Sequence, residues 1–567
     1  MTSFKQFLKN TAGSLTPMLG LVAVPAFIAA GSAIDMVRIN NEQSAFYAAV
    51  DAAALAIAAD DRSAVGALSG AALTTRMAEL NVLSKKYIEA NYDHTTGNST
   101  TITSALTLSG SEVKLTATIG IPMTIMSLVG IQDYSFQASS TIKKAMRPIE
   151  LTMVMDTTGS MSSGGKLAGA QDAARTLLSR LYGGSASAVP RSEFIRVGMV
   201  PFSGAVKLDT AHPDFKLGWI DTTGVNPLSK LNFNAITTPA VWNNFYAWGR
   251  IKSGSGATAY HAWNGCVEGR KYGTTSTNNY LMNDAAPLSS NVDTLFPAYF
   301  NPDVPTGSST YGTNYISGTS TTAVGSECKG LTSTVCSSTT TTNMLAKQEN
   351  YAKYDQTNIG TTARMATNCT ASKIVPMTHN RADVETGIND MVASGPTVIP
   401  EGLAWGWRVI SPTEPFTQVQ GSGSIAAASI SPYNDVRWKK IMVLMTDGDN
   451  DVGPGGYGYN NTTYTAYGFG SEALTTNRYG SQSTTSAMET VIDTTMNTIC
   501  SKIKDQNVTL YVASFGSGVS AATRTRLQNC ATTGVGYYQH AATSSDLTAF
   551  FDHIGEDVIN KSVYVSN

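Results

Sequence analysis

The segment Leu151-Thr152-Met153-Val154-Met155-Asp156-Thr157-Thr158-Gly159-Ser160-Met161-Ser162 decides the fold. Its first half is a short apolar run suited to a strand buried on both faces, and its second half is a polar turn containing glycine. A helical stripe follows: Leu167, Ala170, Ala174, Leu177, Leu178 and Leu181. Strand, turn and helix in that order, followed downstream by further strands alternating with helices to a total of five or six strands, predict an α/β domain with a doubly wound, Rossmann-like sheet. Ligands of such a sheet bind at the carboxyl ends of its strands.

Downstream, Phe194 to Pro201 reads as a second strand, which Ser203-Gly204 can turn into an antiparallel neighbour ending near Leu208. Residues 209–375 then break the rhythm. They are rich in Thr, Ser, Asn, Gly and Tyr, hold Trp219, Trp242, Trp248 and Trp263, and are too long for a plain loop. They are expected to be an insertion with its own disulfides. The alternation resumes with helices at Ala382–Val392 and Glu401–Ile410, and a strand at Lys440–Met445. After a loop, Gly453–Thr484, come a helix at Ala487–Lys504, a strand at Val508–Ser514 and a helix around Ala521–Leu527. A strand near Tyr537-Tyr538 and a helix at Ser545–Ile559 complete the pattern. The α/β domain is therefore expected over 149–208 and 376–560.

Upstream, no charged residue occurs from Asn10 to Ile34. At 1.5 Å per residue this run crosses a ~30 Å hydrocarbon core with some tilt. Lys5 and Lys9 precede it, so the rule for basic flanks places the N-terminus in the cytoplasm and the rest outside. A cleaved signal peptide, with Gly31-Ser32-Ala33 as its small-residue site, is the competing reading, and it exports the chain equally. Phe46, Ala49, Val50, Ala53, Ala54 and Ile57 then form one helical face, and a second helix is expected over Ala71–Ala90. Alternation at Val113, Leu115, Ala117 and Ile119, and again over Tyr134–Ile142, marks strands. This organisation gives residues 1–35 as leader and anchor, and 36–148 as a small α+β, pilin-like stalk.

Only 14% of the 567 residues are charged, and the formal net charge is -2. That balance supplies no basic field for nucleic acid, which is excluded as a partner. The six cysteines, Cys266, Cys328, Cys336, Cys369, Cys500 and Cys530, lack zinc-ligand spacing. All lie in the exported part, so disulfides are expected, with fifteen connectivities open. Cys500 with Cys530 is the favoured pair, because the helix and strand between them can fold back.

Asp156, Thr158 and Ser160, spaced two apart in one loop, can converge on a hard cation, since oxygen donors suit Mg²⁺ first and also Mn²⁺ or Ca²⁺. The plainer reading has Thr158 and Ser160 capping the next helix. Two later segments favour the metal: Gly395-Pro396-Thr397 ahead of a helix, and Met445-Thr446-Asp447-Gly448-Asp449 at the end of an apolar strand. Asp447, Asp449 and Asp451 also mimic an EF-hand start, but the sixth-position glycine is missing and Gly458 stands where a bidentate Glu belongs.

Together the three segments resemble the metal-ion-dependent adhesion site of von Willebrand factor A domains: a D-x-S/T-x-S loop, a distant Thr, and an Asp after a hydrophobic strand. The resemblance implies a metal set of Asp156, Thr158, Ser160, Thr397 and Asp447, with Ser162 and Asp449 on its rim. In that family the hydroxyls bind the ion directly, leaving it short of negative charge, so it takes a carboxylate from a partner. Thr158 stands where Ser is commoner. The short basic leader, a Gly-Ser before the apolar run, "AVDAAALAIAAD" at Ala49–Asp60 and "EGLAWGWRVISP" at Glu401–Pro412 resemble TadG-like proteins of bacterial Tad/Flp pilus assembly. That likeness implies a pilin-like anchor in the inner membrane, joined to a periplasmic A domain. Related pseudopilins carry Glu five positions after the processing glycine. Met18 occupies that place after Gly13, which favours a retained anchor.

None of the six histidines sits at metal-ligand spacing, and no G-x-S-x-G, H-E-x-x-H or P-loop motif occurs, so no enzyme is expected. His540 and His553 read as surface or helix-terminal residues. The tryptophans of the insertion read as the core of an irregular segment, in preference to a sugar-binding face. Trp405 and Trp407, two apart, cannot share a helix face, so one is expected to pack on the sheet. The expected function is metal-dependent docking of an acidic group on a pilus or secretion component. The alternative is an adhesin, at a pilus tip or the cell surface, that binds an external target.

Overall fold

The computed structural model describes residues 16–566 except 61–69, 93–100, 110–111, 183–193, 234–238, 255–257, 274–278, 306–313, 361–363, 424, 454–459, 461, 471–477, 481 and 483. The chain divides into two compact units, one of residues 1–146 with 560–567 and one of 147–559.

In the first unit, helix α1 (Thr16–Ala59) runs without a break from the apolar segment into the Ala-rich stretch, with Pro25 inside it. It is long and apolar enough to cross a membrane. Helix α2 (Gly70–Asn91) follows, then an antiparallel sheet of β1 (Ile102–Ser109), β2 (Glu112–Pro122), β3 (Asp133–Met146) and a last strand, Val563–Ser566, paired with β3. Small Ala residues let α1 approach this sheet closely: Phe46, Ala49, Val50, Ala53 and Ala54 pack on Leu115, Ala117, Ile119 and Ala138. Burial alternates along β2, which is the two-residue period of a one-sided sheet.

The second unit is built on a six-stranded sheet. Its strands are β4 (Ile149–Asp156), β5 (Ile195–Phe202), β6 (Val375–Thr378), β7 (Lys439–Thr446), β8 (Thr509–Phe515) and β9 (Tyr538–Ala541), in the order β9-β8-β7-β4-β5-β6. All neighbours are parallel except β5 and β6. The helices are α3 (Lys166–Tyr182), α4 (Arg381–Asn389), α5 (Ile399–Ile410), α6 (Thr485–Asp505), α7 (Ala521–Cys530) and α8 (Ser544–Ser562). Both faces of the sheet are covered, so every residue of β4 and β5 is buried. Val154, Val200, Phe202, Met442 and Leu444 share a core with α5 and α6. The fit of α5 to the sheet is close: a Cβ on Gly406 would lie 2.4 Å from Val154 Cγ2, and one on Gly402 2.5 Å from Phe202 Cδ1.

One expectation is corrected. The antiparallel neighbour of β5 is β6, at the far end of the insertion. Residues Val206–Lys207, which follow the Ser203-Gly204 turn, pair instead with Cys266–Val267. Trp405 and Trp407 are both buried, at 0% and 3% exposure. They can point in different directions because the insertion roofs α5 on the side away from the sheet. Phe296 stacks on Trp405 at 4.7 Å between ring centroids, and Trp407 Nε1 donates to Tyr433 Oη at 2.8 Å.

The insertion has a core of its own around Phe233, Trp242, Trp248, Phe300 and Tyr354. Trp219 is buried against Phe416, and Trp263 is partly buried. These tryptophans are therefore packing residues. Disulfides join Cys266 to Cys369, Cys328 to Cys336, and Cys500 on α6 to Cys530 on α7. His540 lies on edge strand β9, where its Nδ1 pairs with Ser514 Oγ at 2.9 Å; His553 lies within α8, stacked on Phe550.

Candidate functional site

Asp156 is the last residue of β4, and Asp447 directly follows β7, the strand paired with it in parallel. Parallel register thus delivers two carboxylates to one end of the sheet. Both are buried, Asp156 at 0% and Asp447 at 1% exposure.

The Asp156 carboxylate orders its own loop. Oδ1 accepts from Thr158 N at 2.8 Å, while Oδ2 accepts from Thr446 Oγ1 at 2.7 Å and from Asp447 N at 3.4 Å. Burial, and then the charge of Asp447, push the Asp156 carboxyl up to about 6. Ser160 Oγ donates to Asp447 Oδ1 at 2.6 Å and lies 2.9 Å from Thr158 Oγ1. Four of the five residues expected as metal ligands are thereby joined directly.

Thr397 arrives from a third segment. Gly159 N donates to Gly395 O and Ser394 N to Thr157 O, each at 2.8 Å, which ties that segment to the β4 loop. Gly395 has φ +83°, and a Cβ there would lie 3.1 Å from Asn368 O and 3.2 Å from Ser203 Oγ, so the close approach needs glycine. A Cβ built on Gly448 would lie 3.7 Å from Thr397 Oγ1 and 3.9 Å from Ser160 Oγ. Those two hydroxyls therefore border one small volume at the mouth of the site.

Two participants were not anticipated from the sequence. Thr446 holds Asp156, as above. Lys166, the first residue of α3, places Nζ 2.7 Å from Asp447 Oδ2, with its side chain 21% exposed. Its position, ten residues after Asp156 on the helix that the loop leads into, was the available signal. Of the two rim residues, Ser162 is exposed and its Oγ donates to Gly159 O at 2.7 Å. Asp449 is half-buried and accepts from Ser520 N at 2.9 Å.

The fold and site together define a doubly wound α/β domain with an oxygen-rich cluster, two carboxylates and three hydroxyls, at the carboxyl end of its central strands. Among the described residues, no group of three or more His, Cys, Asp and Glu side chains is placed to hold a metal, so any ion here depends on the hydroxyls. No protein-family model and no characterised protein sequence matches the chain. Solved structures give distant likenesses. One is the pilus adhesin SpaC from Lactobacillus rhamnosus GG, at 9% identity and TM-score 0.31, covering 83% of this chain; the chain spans about a third, 36%, of that protein. Another is the vWF domain of the type V pili tip protein Mfa5 from Porphyromonas gingivalis, at 9% identity and TM-score 0.28, covering 73% of this chain and 96% of that one. A third is proximal thread matrix protein 1 from the mussel byssus with a zinc-occupied MIDAS motif, at 12% identity and TM-score 0.19, covering 74% and 97%.

Proposed function

We propose that this chain is an exported, membrane-anchored interaction module of the von Willebrand A kind, which docks an acidic group of a protein partner on a divalent cation. The observation that carries this reading is the meeting of Asp156, Thr158, Ser160 and Asp447, with Thr397 at the same mouth, from three segments remote in sequence. The donor set fits a hard cation, since it is all oxygen and includes two buried carboxylates. When bound, the ion supplies an open coordination position for a carboxylate oxygen.

The chain's own groups do the rest. Asp156 fixes the backbone of the loop, Thr446 fixes Asp156, and Ser160 bridges to Asp447. The neutral hydroxyls leave a bound ion undercharged, which favours an anionic partner. Mg²⁺ is the proposed ion, with Mn²⁺ and Ca²⁺ as the others the donor set would accept. The resemblance of the leader, the Ala49–Asp60 stretch and the Glu401–Pro412 stretch to TadG-like proteins supports pilus assembly at the inner membrane as the setting. The partner would then be a pilus or secretion component.

Isothermal titration of the purified chain with Mg²⁺, Mn²⁺ and Ca²⁺ tests the cation; binding is expected and should be lost in Asp156→Ala. Equal binding by that variant refutes the site. In-cell crosslinking from Ser162 is expected to capture a pilus or secretion component. Recovery of the full-length chain in sheared surface fibres, and not in the inner membrane, would replace the assembly setting with an adhesin.

A further inference from the structure

The loop between β2 and β3 presents an apolar tip: Leu128 is 82% exposed, Val129 45% and Ile131 46%. No charged residue occurs between 115 and 132. A free loop of a water-facing domain has no reason to show this composition.

The loop is fastened to α1 at one level. Asp35 accepts from the backbone N–H of Ile125 and of Met126, each at 2.9 Å, and of Thr124 at 3.3 Å. Arg38 Nη2 donates to Pro122 O at 3.0 Å. A Cβ on Gly31 would lie 2.0 Å from Ile125 Cγ2, so the loop rests directly on the helix there. That level is where the uncharged run of α1 ends, at Ile34. Just before it the helix exposes Val22, Val24 and Phe27 at 67%, 58% and 76%. The one carboxylate at the boundary, Asp35, is buried beneath the loop and satisfied by its amides. An exposed apolar loop tip and an exposed apolar helix are thus continuous, with no exposed charge on Asp35 between them.

We infer that the β2–β3 loop is a second membrane contact, which sets Leu128, Val129 and Ile131 into the interfacial layer of the bilayer that α1 crosses. The inference rests on the anchoring part of the reading above and is independent of the cation. Its consequence is mechanical. A single helix leaves the small domain free to tilt on the membrane, and a second contact beside the helix exit fixes its height and orientation.

The test uses the full chain in phosphatidylethanolamine–phosphatidylglycerol vesicles, with an environment-sensitive fluorophore at one introduced thiol. The six native cysteines are paired, so the new thiol is labelled alone. Leu128→Cys reports the loop tip and Val24→Cys the helix, the latter read with lipids that carry the quencher deep in the acyl chains because Val24 lies ten residues, about 15 Å of helix, inside the end of the uncharged run. Thr107→Cys is the reference, because it is exposed and pairs with Lys114, eight residues and about 26 Å along β2 from Pro122. Lipids with a quencher near the glycerol are expected to quench the Leu128 probe at least about threefold more than the Thr107 probe, with a blue-shifted emission. Equal quenching at Leu128 and Thr107 beside strong quenching at Val24 would overturn the loop contact and leave the anchor standing. An unquenched Val24 probe would overturn the anchor, and the loop contact with it.

Discussion

Lys166→Met separates a cation site from a purely structural ion pair. In the structure the Lys166 ammonium lies 2.7 Å from Asp447 Oδ2, and the Asp447 side chain has no exposure. Methionine keeps the apolar stem and removes the charge, leaving Asp447 with Ser160 Oγ as its side-chain donor. Stripping one partner from a buried pair costs about 3–5 kcal/mol, and the partial exposure of this lysine brings the expected loss down to about 2–3 kcal/mol. Without divalent ions the variant should therefore lose that much stability in denaturant unfolding. With Mg²⁺ present, the ion replaces the lost positive charge and most of the deficit should vanish. The same logic runs through affinity. In the parent chain an ion must compete with the ammonium for Asp447, so the variant should bind the cation about 30–150-fold more tightly, the equivalent of about 2–3 kcal/mol. Unfolding in chelator and in Mg²⁺, paired with calorimetric titration, reads both quantities. An equal loss of stability in the two conditions, with unchanged or weaker cation affinity, would refute the reasoning.

Thr397→Ala removes a hydroxyl and one buried methyl group, so cation affinity should fall at least about tenfold while stability in chelator falls by only about 1 kcal/mol; titration calorimetry reads the first and denaturant unfolding followed by circular dichroism the second. Gly406→Ala drives a methyl to 2.4 Å from Val154 Cγ2 between α5 and the sheet, and should destabilise the domain by about 1–3 kcal/mol in urea unfolding without altering ion affinity per folded molecule. The double variant Cys500→Ser, Cys530→Ser opens a loop of 30 residues and should cost about 3–4 kcal/mol on the chain-entropy account, measured by unfolding with the other disulfides left oxidised.

The α/β rhythm was legible from Ile149 onward because strands buried on both faces read as unbroken apolar runs, while their helices keep a 3.6-residue stripe. Element ends moved by one to three residues for local reasons. Helix α6 begins at Thr485 because the Thr484 hydroxyl accepts from Ala487 N and caps it. Strand β6 was missed because it is four residues long, emerges from an irregular insertion, and pairs with a strand more than 150 positions earlier. A turn signal such as Ser203-Gly204 says that the chain reverses and nothing about which strand it joins. The last strand of the small sheet, Val563–Ser566, is equally non-local, since its partner is β3. At the site, the Asp156, Thr158 and Ser160 spacing is a local property of one loop. The meeting with Asp447 is a property of strand register, inferable only once β4 and β7 are known to be parallel neighbours. Lys166 carried no periodic signal at all, because the first residue of a helix is free of the stripe that marks the rest.

Charge balance explains why this corner of the molecule differs from its other buried ionic clusters. In a chain with only 14% charged residues, acids are still buried, and in three clusters cations from elsewhere in the sequence lie directly on them. Glu150 meets Arg196 at 2.8 Å and Lys440 at 2.5 Å, Glu268 meets Arg478 at 2.8 Å, and Asp303 meets Lys353 at 3.0 Å. In each of these three clusters, direct cationic contacts equal or outnumber the acid they surround. At the carboxyl end of β4 and β7 the sum is reversed: Asp156 and Asp447 stand buried with Lys166 as the ammonium in contact. Burial first, and then the charge of Asp447, push the Asp156 carboxyl upward. A divalent cation would supply the charge that the neighbouring residues withhold, and the hydroxyls of Thr158, Ser160 and Thr397 would bring oxygen without adding to the negative sum.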